Sequence, residues 1–372
     1  MKVSVIIPCY NMERFVRRAV ESCTLSSPSH EVEIVCVDDC STDGTPKVLD
    51  EIASAAPNIK VVRHDVNKKL LEARRSGLAA ATGDYIMHLD ADDRFAPGTL
   101  DAVVERLGED PVDCLFFGGR PVLEGRATEG GSGANPQLSF LTSLLTPPVG
   151  CRTREDLLNA MFVKSTHAWG VCGKVWRGDI ARRCFDVIPR GPFMQAEDAV
   201  QSIVSMKFVR TVAVLDVAGY LYTADTGCMA TDVLKCRNVD QRLQDVSMVQ
   251  QSLKRLRQSL APDDPYVRYL DAFERRVMRD FLLFCAPYLH MYRGAGLFDD
   301  GIKPEDLGML ALWWADLDCT QRLFRSTRWF WRIYRKWLHI RARLAGNEYM
   351  RGELNAFCDR ARRLCKDETR IA

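Results

Sequence analysis

The chain has 372 residues, 47% hydrophobic and 27% charged, which is the composition of a globular protein and excludes disordered, collagen-like and disulfide-scaffold classes. At about 150 residues per domain the length fits roughly two to three domains, with a core large enough to fold without a metal or disulfide staple. The 51 Lys and Arg against 49 Asp and Glu leave +2, which excludes a globally basic nucleic-acid binder and requires any charged partner to meet a local patch.

In chain order, the β-branched run Val3 to Ile7 predicts a buried strand and Met12 to Cys23 a helix. Val32 to Val37 predicts a second strand, with Asp43-Gly44-Thr45-Pro46 opening a helix through Ile52. Asn58 to Arg63, Tyr85 to Leu89 and Val112 to Phe117 read as further strands, separated by helices at Leu70 to Ala81 and Pro97 to Leu107. Strands alternating with helices imply βαβ units and a mostly parallel sheet with helices on both faces. The Gly/Ser-rich stretch from Glu129 to Pro136 reads as a mobile loop. Helices are expected near Arg154 to Phe162 and Asp179 to Cys184, and strands near Val212 to Leu215 and Gly219 to Tyr222. From about Asp232 helical periodicity dominates. The expected organisation is an α/β catalytic domain at 1–230 and a helical C-terminal region at 231–372.

Of the 14 cysteines, Cys9, Cys36, Cys114 and Cys172 lie in apolar stretches, where cysteine acts as a small hydrophobe. No CxxC occurs and the histidines are scattered, which argues against a zinc site. The first apolar run is too short for a signal peptide, and no run of about 18 apolar residues spans a membrane. The expectation is a reduced, cytoplasmic protein.

In an open parallel sheet, ligands bind beyond the carboxyl ends of the strands. Pro8-Cys9-Tyr10-Asn11 follows the first strand, Asp38-Asp39-Cys40-Ser41-Thr42-Asp43-Gly44 the second, and Asp90-Ala91-Asp92-Asp93 the fourth. Clustered carboxylates repel one another unless a cation or hydrogen-bond donors sit among them, and a hard divalent ion shared with phosphate oxygens meets that need. Helix capping and turn formation are the alternative use of Ser41 and Asp43. A GxGxxG after the first strand is absent, Gly173-Lys174 lacks the remainder of a P-loop, and no GxSxG occurs.

These motifs, with Glu72-Ala73-Arg74-Arg75-Ser76-Gly77 and Gly83-Asp84-Tyr85-Ile86 between them, resemble in order and spacing the signatures of family 2 glycosyltransferases, inverting enzymes of the GT-A fold that use nucleotide-diphosphate sugars. The resemblance is strong over residues 1–115 and thins towards 225. It implies that Pro8, Cys9, Tyr10 and Asn11 line the base pocket, with the Tyr10 ring on the nucleobase, and that Asp39 accepts a hydrogen bond from the base. Arg74 would hold the nucleotide, Asp90 would lie near the ribose, and Asp92 would ligate Mn²⁺ or Mg²⁺. Gln195-Ala196-Glu197-Asp198 matches the Glu-Asp pair, making Asp198 the catalytic base and Glu197 its neighbour towards the acceptor. Trp169 to Arg177 is similar to the segment preceding that base, with Lys174 a candidate phosphate or acceptor contact. Two positions depart from the pattern: Arg75 replaces an asparagine, and Tyr220-Leu221-Tyr222-Thr223 ends on threonine where the family ending carries a phosphate-binding arginine. His88 reads as a strand residue.

Residues 322–344 form an expected basic amphipathic helix, with Arg322, Arg325, Arg328, Arg332, Arg335 and Lys336 interleaved with Trp329, Phe330, Trp331, Tyr334 and Trp337. It suits an anionic membrane surface or packing on the catalytic domain, with an RNA or protein partner as the remaining alternative. The implied function is transfer of a sugar from an NDP-sugar, UDP-linked by expectation, to a glycan or lipid-linked acceptor in bacterial surface polysaccharide assembly. The alternatives are a sugar-nucleotide nucleotidyltransferase and a catalytically degenerate nucleotide-binding scaffold at the membrane.

Overall fold

The computed structural model describes residues 1–123, 136–164, 166–167, 169–194, 196–224, 226 and 239–277. The chain divides into two compact units, Met1–Phe281 and Leu282–Ala372, and every described residue belongs to the first. The expected amphipathic helix at 322–344 and the Gly/Ser-rich stretch from Glu129 to Asn135 lie outside the described residues. No described helix is long and apolar enough to cross a membrane.

The first half runs β1 (Lys2–Cys9), α1 (Val16–Glu21), β2 (Glu31–Asp38), α2 (Thr45–Ala55), β3 (Ile59–Arg63), α3 (Leu70–Ala80), β4 (Tyr85–His88), β5 (Arg94–Phe95) and α4 (Thr99–Glu109). It continues with β6 (Cys114–Val122), α5 (Pro136–Leu145), α6 (Arg154–Leu158), β7 (Lys174–Arg177), α7 (Gly178–Val187), α8 (Glu197–Phe208), β8 (Val212–Thr223) and α9 (Val239–Gln258). The strands form one sheet in the order β3-β2-β1-β4-β7-β6-β8-β5. The mostly parallel α/β sheet implied by the sequence is therefore present. β1 pairs in parallel with β2 and β4, β2 with β3, and β6 with β8.

Alternation along β1 shows why helices cover both faces. Val3, Val5 and Ile7 join one core with Val16 and Ala19 of α1, Leu49 of α2 and Val103 of α4. Ile6 joins the other, with Leu71 of α3, Ile180 of α7, Ile203 of α8 and Leu253 of α9.

Three elements differ from expectation. β7 lies antiparallel between β4 and β6, inside the segment read as a motif, because four residues carry too little periodicity to signal a strand. β5 has two residues and pairs with β8 through Arg94–Leu221 and Phe95–Tyr220. The two strands expected at 212–222 are one, bent by register shifts against Phe117–Gly119 of β6. A Cβ on Gly119 would stand 2.4 Å from the Tyr220 carbonyl oxygen, so only glycine admits this approach. Residues 12–15 also turn before α1 begins, with the Phe15 and Val16 N–H groups donating to the Met12 carbonyl.

Candidate active site

The carboxyl ends of β1, β2 and β4 and the start of α8 converge. Among the described residues the non-glycine positions of positive φ are Asn11 (56°), Cys40 (62°), Lys69 (74°) and Ala196 (63°), each in a loop of this end. Left-handed backbone costs a non-glycine residue about 1–2 kcal/mol, and such conformations persist where neighbours over-determine them, as at functional sites. Here the neighbours are visible. Asn11 N–H donates to Ser41 Oγ (3.1 Å), Thr42 N–H donates to Asn11 Oδ1 (2.8 Å), and Thr45 donates from N and Oγ1 to Asp43 Oδ1 (3.0 and 2.6 Å). Ser41 and Asp43 thus serve the turn.

Of the stretch expected to line a base pocket, Pro8 and Cys9 are buried within β1 while Tyr10 is 44% exposed at its tip, beside exposed Asn11. The structure leaves Tyr10 as the open aromatic surface and puts Pro8 and Cys9 beneath it. Asp39 is only 3% exposed. Its carboxylate accepts from His64 Nδ1 (2.7 Å) and from the N–H groups of Lys68 and Lys69 (2.8 Å each). A carboxylate only accepts, so His64 carries a proton on Nδ1, and its Nε2 lies 2.8 Å from Ser76 Oγ. Asp39 pins the 67–69 turn onto the end of β2.

Arg74 lies at the centre of the acids. It is 2% exposed, donating from Nη1 to Glu197 and from Nη2 to Asp90, both at 3.1 Å. Burial works against its charge, but the carboxylates of Asp90 and Glu197 more than offset this and hold it above the usual arginine value. Arg74, expected as a nucleotide ligand, is enclosed and ties the β4 loop to the first turn of α8. Glu197 is correspondingly turned inward, 5% exposed on Arg74, and not outward to an acceptor. Burial first, then the Asp198 charge, raises its pKa.

Asp198 is half-buried. Its Oδ1 accepts from Ala199 N–H (2.6 Å), while Oδ2 has no hydrogen-bond partner among the described residues. Burial raises its pKa, and Arg74 and the Ala199 N–H restrain the rise. Burial thus raises both carboxyls of the pair, with the Arg74 charge opposing the rise in each. Gly170 borders the free oxygen: a Cβ there would be 3.0 Å from Asp198 Oδ2. The Gly170 carbonyl accepts from Lys174 Nζ and Ser202 Oγ, which clamps this backbone beside Asp198. Burial lowers the Lys174 pKa to about 8.

The three aspartates after β4 separate by environment. Asp90 has a 36% exposed carboxylate. Asp92 accepts from Thr226 Oγ1 (3.0 Å), and burial followed by the Asp90 charge raises its pKa. Asp93 is structural, accepting from Tyr220 OH (2.6 Å) and Thr223 N–H (2.7 Å). No three His, Cys, Asp or Glu among the described residues gather into a metal cage. Two neighbouring carboxylates, one raised by the other's charge, fit instead an ion that keeps waters and substrate phosphates.

Burial, then the charges of Asp90 and Asp92, pushes Asp93 up from 3.8 to about 8. A carboxyl raised on folding binds more protons in the folded state, so stability falls as pH rises through that window. Asp93→Asn removes this penalty. Its unfolding midpoint in urea should gain on the parent's between pH 5 and pH 8; identical pH dependence in the two proteins would refute the assignment.

Sequence reasoning missed three contributors. Arg75, in place of the family's asparagine, donates to the carbonyls of Phe185 (2.8 Å), Ile188 (3.0 Å) and Pro189 (3.0 Å), and so holds the approach to α8. Gln201, one turn beyond Glu197, donates to His88 Nε2 (2.9 Å), joining β4 to α8 within the core. Arg18 reaches the Asp92 carbonyl (2.7 Å) from α1. A departure from the family pattern signalled the first; the other two depend on long-range contacts.

Residues 4–139 match the family model for glycosyl transferase family 2. The chain is 26% identical over 242 residues to the uncharacterized glycosyltransferase EpsJ of Bacillus subtilis (strain 168), covering 65% of this chain and 66% of that protein. It is 34% identical over 125 residues to the succinoglycan biosynthesis protein ExoO of Rhizobium meliloti (strain 1021), covering 32% and 35%. The chain thus spans about a third to two thirds of the length of these curated relatives. In fold it is similar to S. aureus TarS 1–349 in complex with UDP-GlcNAc, at a TM-score of 0.57 and 21% identity over 86% of this chain and 81% of that one.

Proposed function

We propose, from the premise that this chain belongs to glycosyl transferase family 2 through residues 4–139, that it moves a sugar from a UDP-linked donor to a glycan or lipid-linked acceptor with inversion, in the assembly of a bacterial polysaccharide. The observation that carries the reading is the Arg74 bridge, with Asp90 and Glu197 each at 3.1 Å. It joins a donor-side acid pair to the helix bearing a carboxylate with one free oxygen, as a single displacement requires.

In this reading the nucleobase stacks on Tyr10, and Asp39 orders the pocket through the 67–69 turn. Asp92, with Asp90 beside it, would hold Mn²⁺ or Mg²⁺. The bound ion would neutralise charge growing on the departing diphosphate. Asp198 Oδ2 accepts the proton of the acceptor hydroxyl as that oxygen attacks the anomeric carbon and the nucleoside diphosphate leaves from the opposite face. Glu197 and Arg74 keep Asp198 and Asp90 in register. The polysaccharide context is supported by the succinoglycan relative, and a UDP-sugar donor by the nucleotide sugar bound in the TarS structure.

The test is calorimetric titration of UDP-, GDP- and CDP-sugars with Mn²⁺ or Mg²⁺, followed by NMR of the product's anomeric configuration. Metal-dependent preference for UDP-sugars and an inverted product are expected; equal affinity for all bases, or retention, would overturn the reading. Nucleotide binding without turnover would favour a degenerate scaffold. In the same assay Asp92→Asn should lower metal-dependent UDP affinity by about tenfold or more, because a neutral amide loses the charge that attracts the ion. Unchanged affinity and metal dependence would remove Asp92 from the site.

A further inference from the structure

We propose that Arg75 is a positioning residue for Asp198, acting through the segment that leads from helix α7 to the first turn of α8. The inference deepens the single-displacement reading above and rests on it, since it takes Asp198 as the base.

Arg75 stands where the family pattern has an asparagine, and the mechanism above does not use it. Its Nε donates to Glu72 Oε1 in its own helix (3.1 Å). Its Nη1 donates to the Phe185 carbonyl (2.8 Å), and its Nη2 to the carbonyls of Ile188 and Pro189 (3.0 Å each). Phe185 lies in the last turn of α7, with Ile188 just past its end. Helix carbonyls there lack intrahelical partners, and a cation also complements the helix dipole. The guanidinium carbon sits 4.6 Å from the centroid of the Phe185 ring, which helps hold the head in place. An asparagine has two N–H donors on a much shorter side chain and cannot make this set of bonds.

Helix α3 holds the same segment at further points. Glu72 Oε1 also accepts from Gly191 N–H (3.3 Å), and Glu72 Oε2 lies 3.6 Å from Arg190 Nη1. Met194 N–H is taken by Asp245 of α9 (2.9 Å). Arg74, the neighbour of Arg75 on α3, donates to Glu197 (3.1 Å). Two adjacent arginines thus fix the two ends of the segment, one at 188–189 and the other beside the base. Ala196 within it is left-handed (φ 63°), a strained backbone that persists only where neighbours hold it. The chemistry is sensitive to that hold. A base must stand within hydrogen-bond reach of the proton it takes, and a misplacement of about 1 Å can cost on the order of a hundredfold in rate. Tyr10, Asp90 and Asp92 follow β1 and β4, outside this segment.

The experiment compares the parent, Arg75→Asn and Arg75→Lys, each well below its own melting temperature. UDP affinity with Mg²⁺ is measured by calorimetry. Turnover is measured as UDP release from the UDP-sugar that the titrations above select, with water or a glycan as acceptor. Asparagine is the family residue; lysine keeps the charge and part of the donor set. Arg75→Asn is expected to keep UDP affinity while kcat falls about ten- to a hundredfold, and Arg75→Lys to lie between it and the parent. Should Arg75→Asn fail to fold, the same two readings on Arg75→Lys decide. A folded variant that turns over at the parent rate would overturn the proposal and leave Arg75 as a cap on α7 serving stability alone. Parallel loss of UDP affinity and kcat would equally overturn it, because the site as a whole would then have moved. A parent that releases no UDP, or Asp198→Asn releasing it at the parent rate, overturns the displacement reading and this inference with it.

Discussion

Asp198→Asn is expected to bind UDP-sugar with near-parent affinity and to lose transfer by about 10²–10⁴, the usual cost of removing a general base. The asparagine keeps the shape of the side chain and can still accept from Ala199 N–H, which occupies Oδ1 at 2.6 Å. What it loses is the basicity of Oδ2. Donor binding survives because Tyr10, Asp90 and Asp92 belong to other strand ends. Burial also raises the Asp198 pKa. The base works only when deprotonated, so the acidic limb of kcat should lie above the ordinary carboxylate range in the parent and disappear in the variant. Asp198→Glu should not rescue, since Gly170 closes the space beside Oδ2. Single-turnover transfer and a pH profile measure both effects. Transfer at the parent rate by Asp198→Asn would require another carboxylate as base.

Arg74→Met should be the most destabilising change in the site. It leaves Asp90 and the buried Glu197 without a counter-charge. Breaking a buried ion pair from one side costs about 3–5 kcal/mol, which in a domain of this size lowers Tm by on the order of ten degrees. The pH dependence distinguishes charge from packing. Burial and Asp198 already raise Glu197 in the parent, and losing Arg74 raises it further. A raised carboxylate makes stability fall as pH rises above its ordinary value. The deficit of Arg74→Met should therefore be larger at pH 8 than at pH 5. Adding Glu197→Gln should restore part of it by removing the uncompensated charge. Melting curves at the two pH values decide the matter; a deficit independent of pH would make Arg74 a packing residue only.

Much of this was legible because it is local. Alternating residues in β1 commit it to two cores whatever its neighbours, and acids immediately after a strand must emerge at its carboxyl end. The pairing of Asp90 with Asp92 and the Glu197-Asp198 pair were what the family resemblance implied, and α8 does open at Glu197. Roles that depend on which way a side chain turns were not legible. Glu197 and Asp198 are adjacent on a helix, yet one is sealed against Arg74 and the other keeps an open oxygen. Which protein groups Asp39 and Arg74 bind was equally hidden.

By itself, then, the sequence determined the alternation of strands and helices, the family signatures and the end of the sheet where the acids gather, since periodicity and order along the chain carry that information. Tertiary structure alone decided that β7 runs antiparallel beside β4, that Gly170 borders Asp198, and that Arg18 meets Thr223 across 205 residues. Those contacts join segments remote in sequence. Their geometry comes from how the sheet curls and the helices pack on it, which no local pattern of residue types encodes.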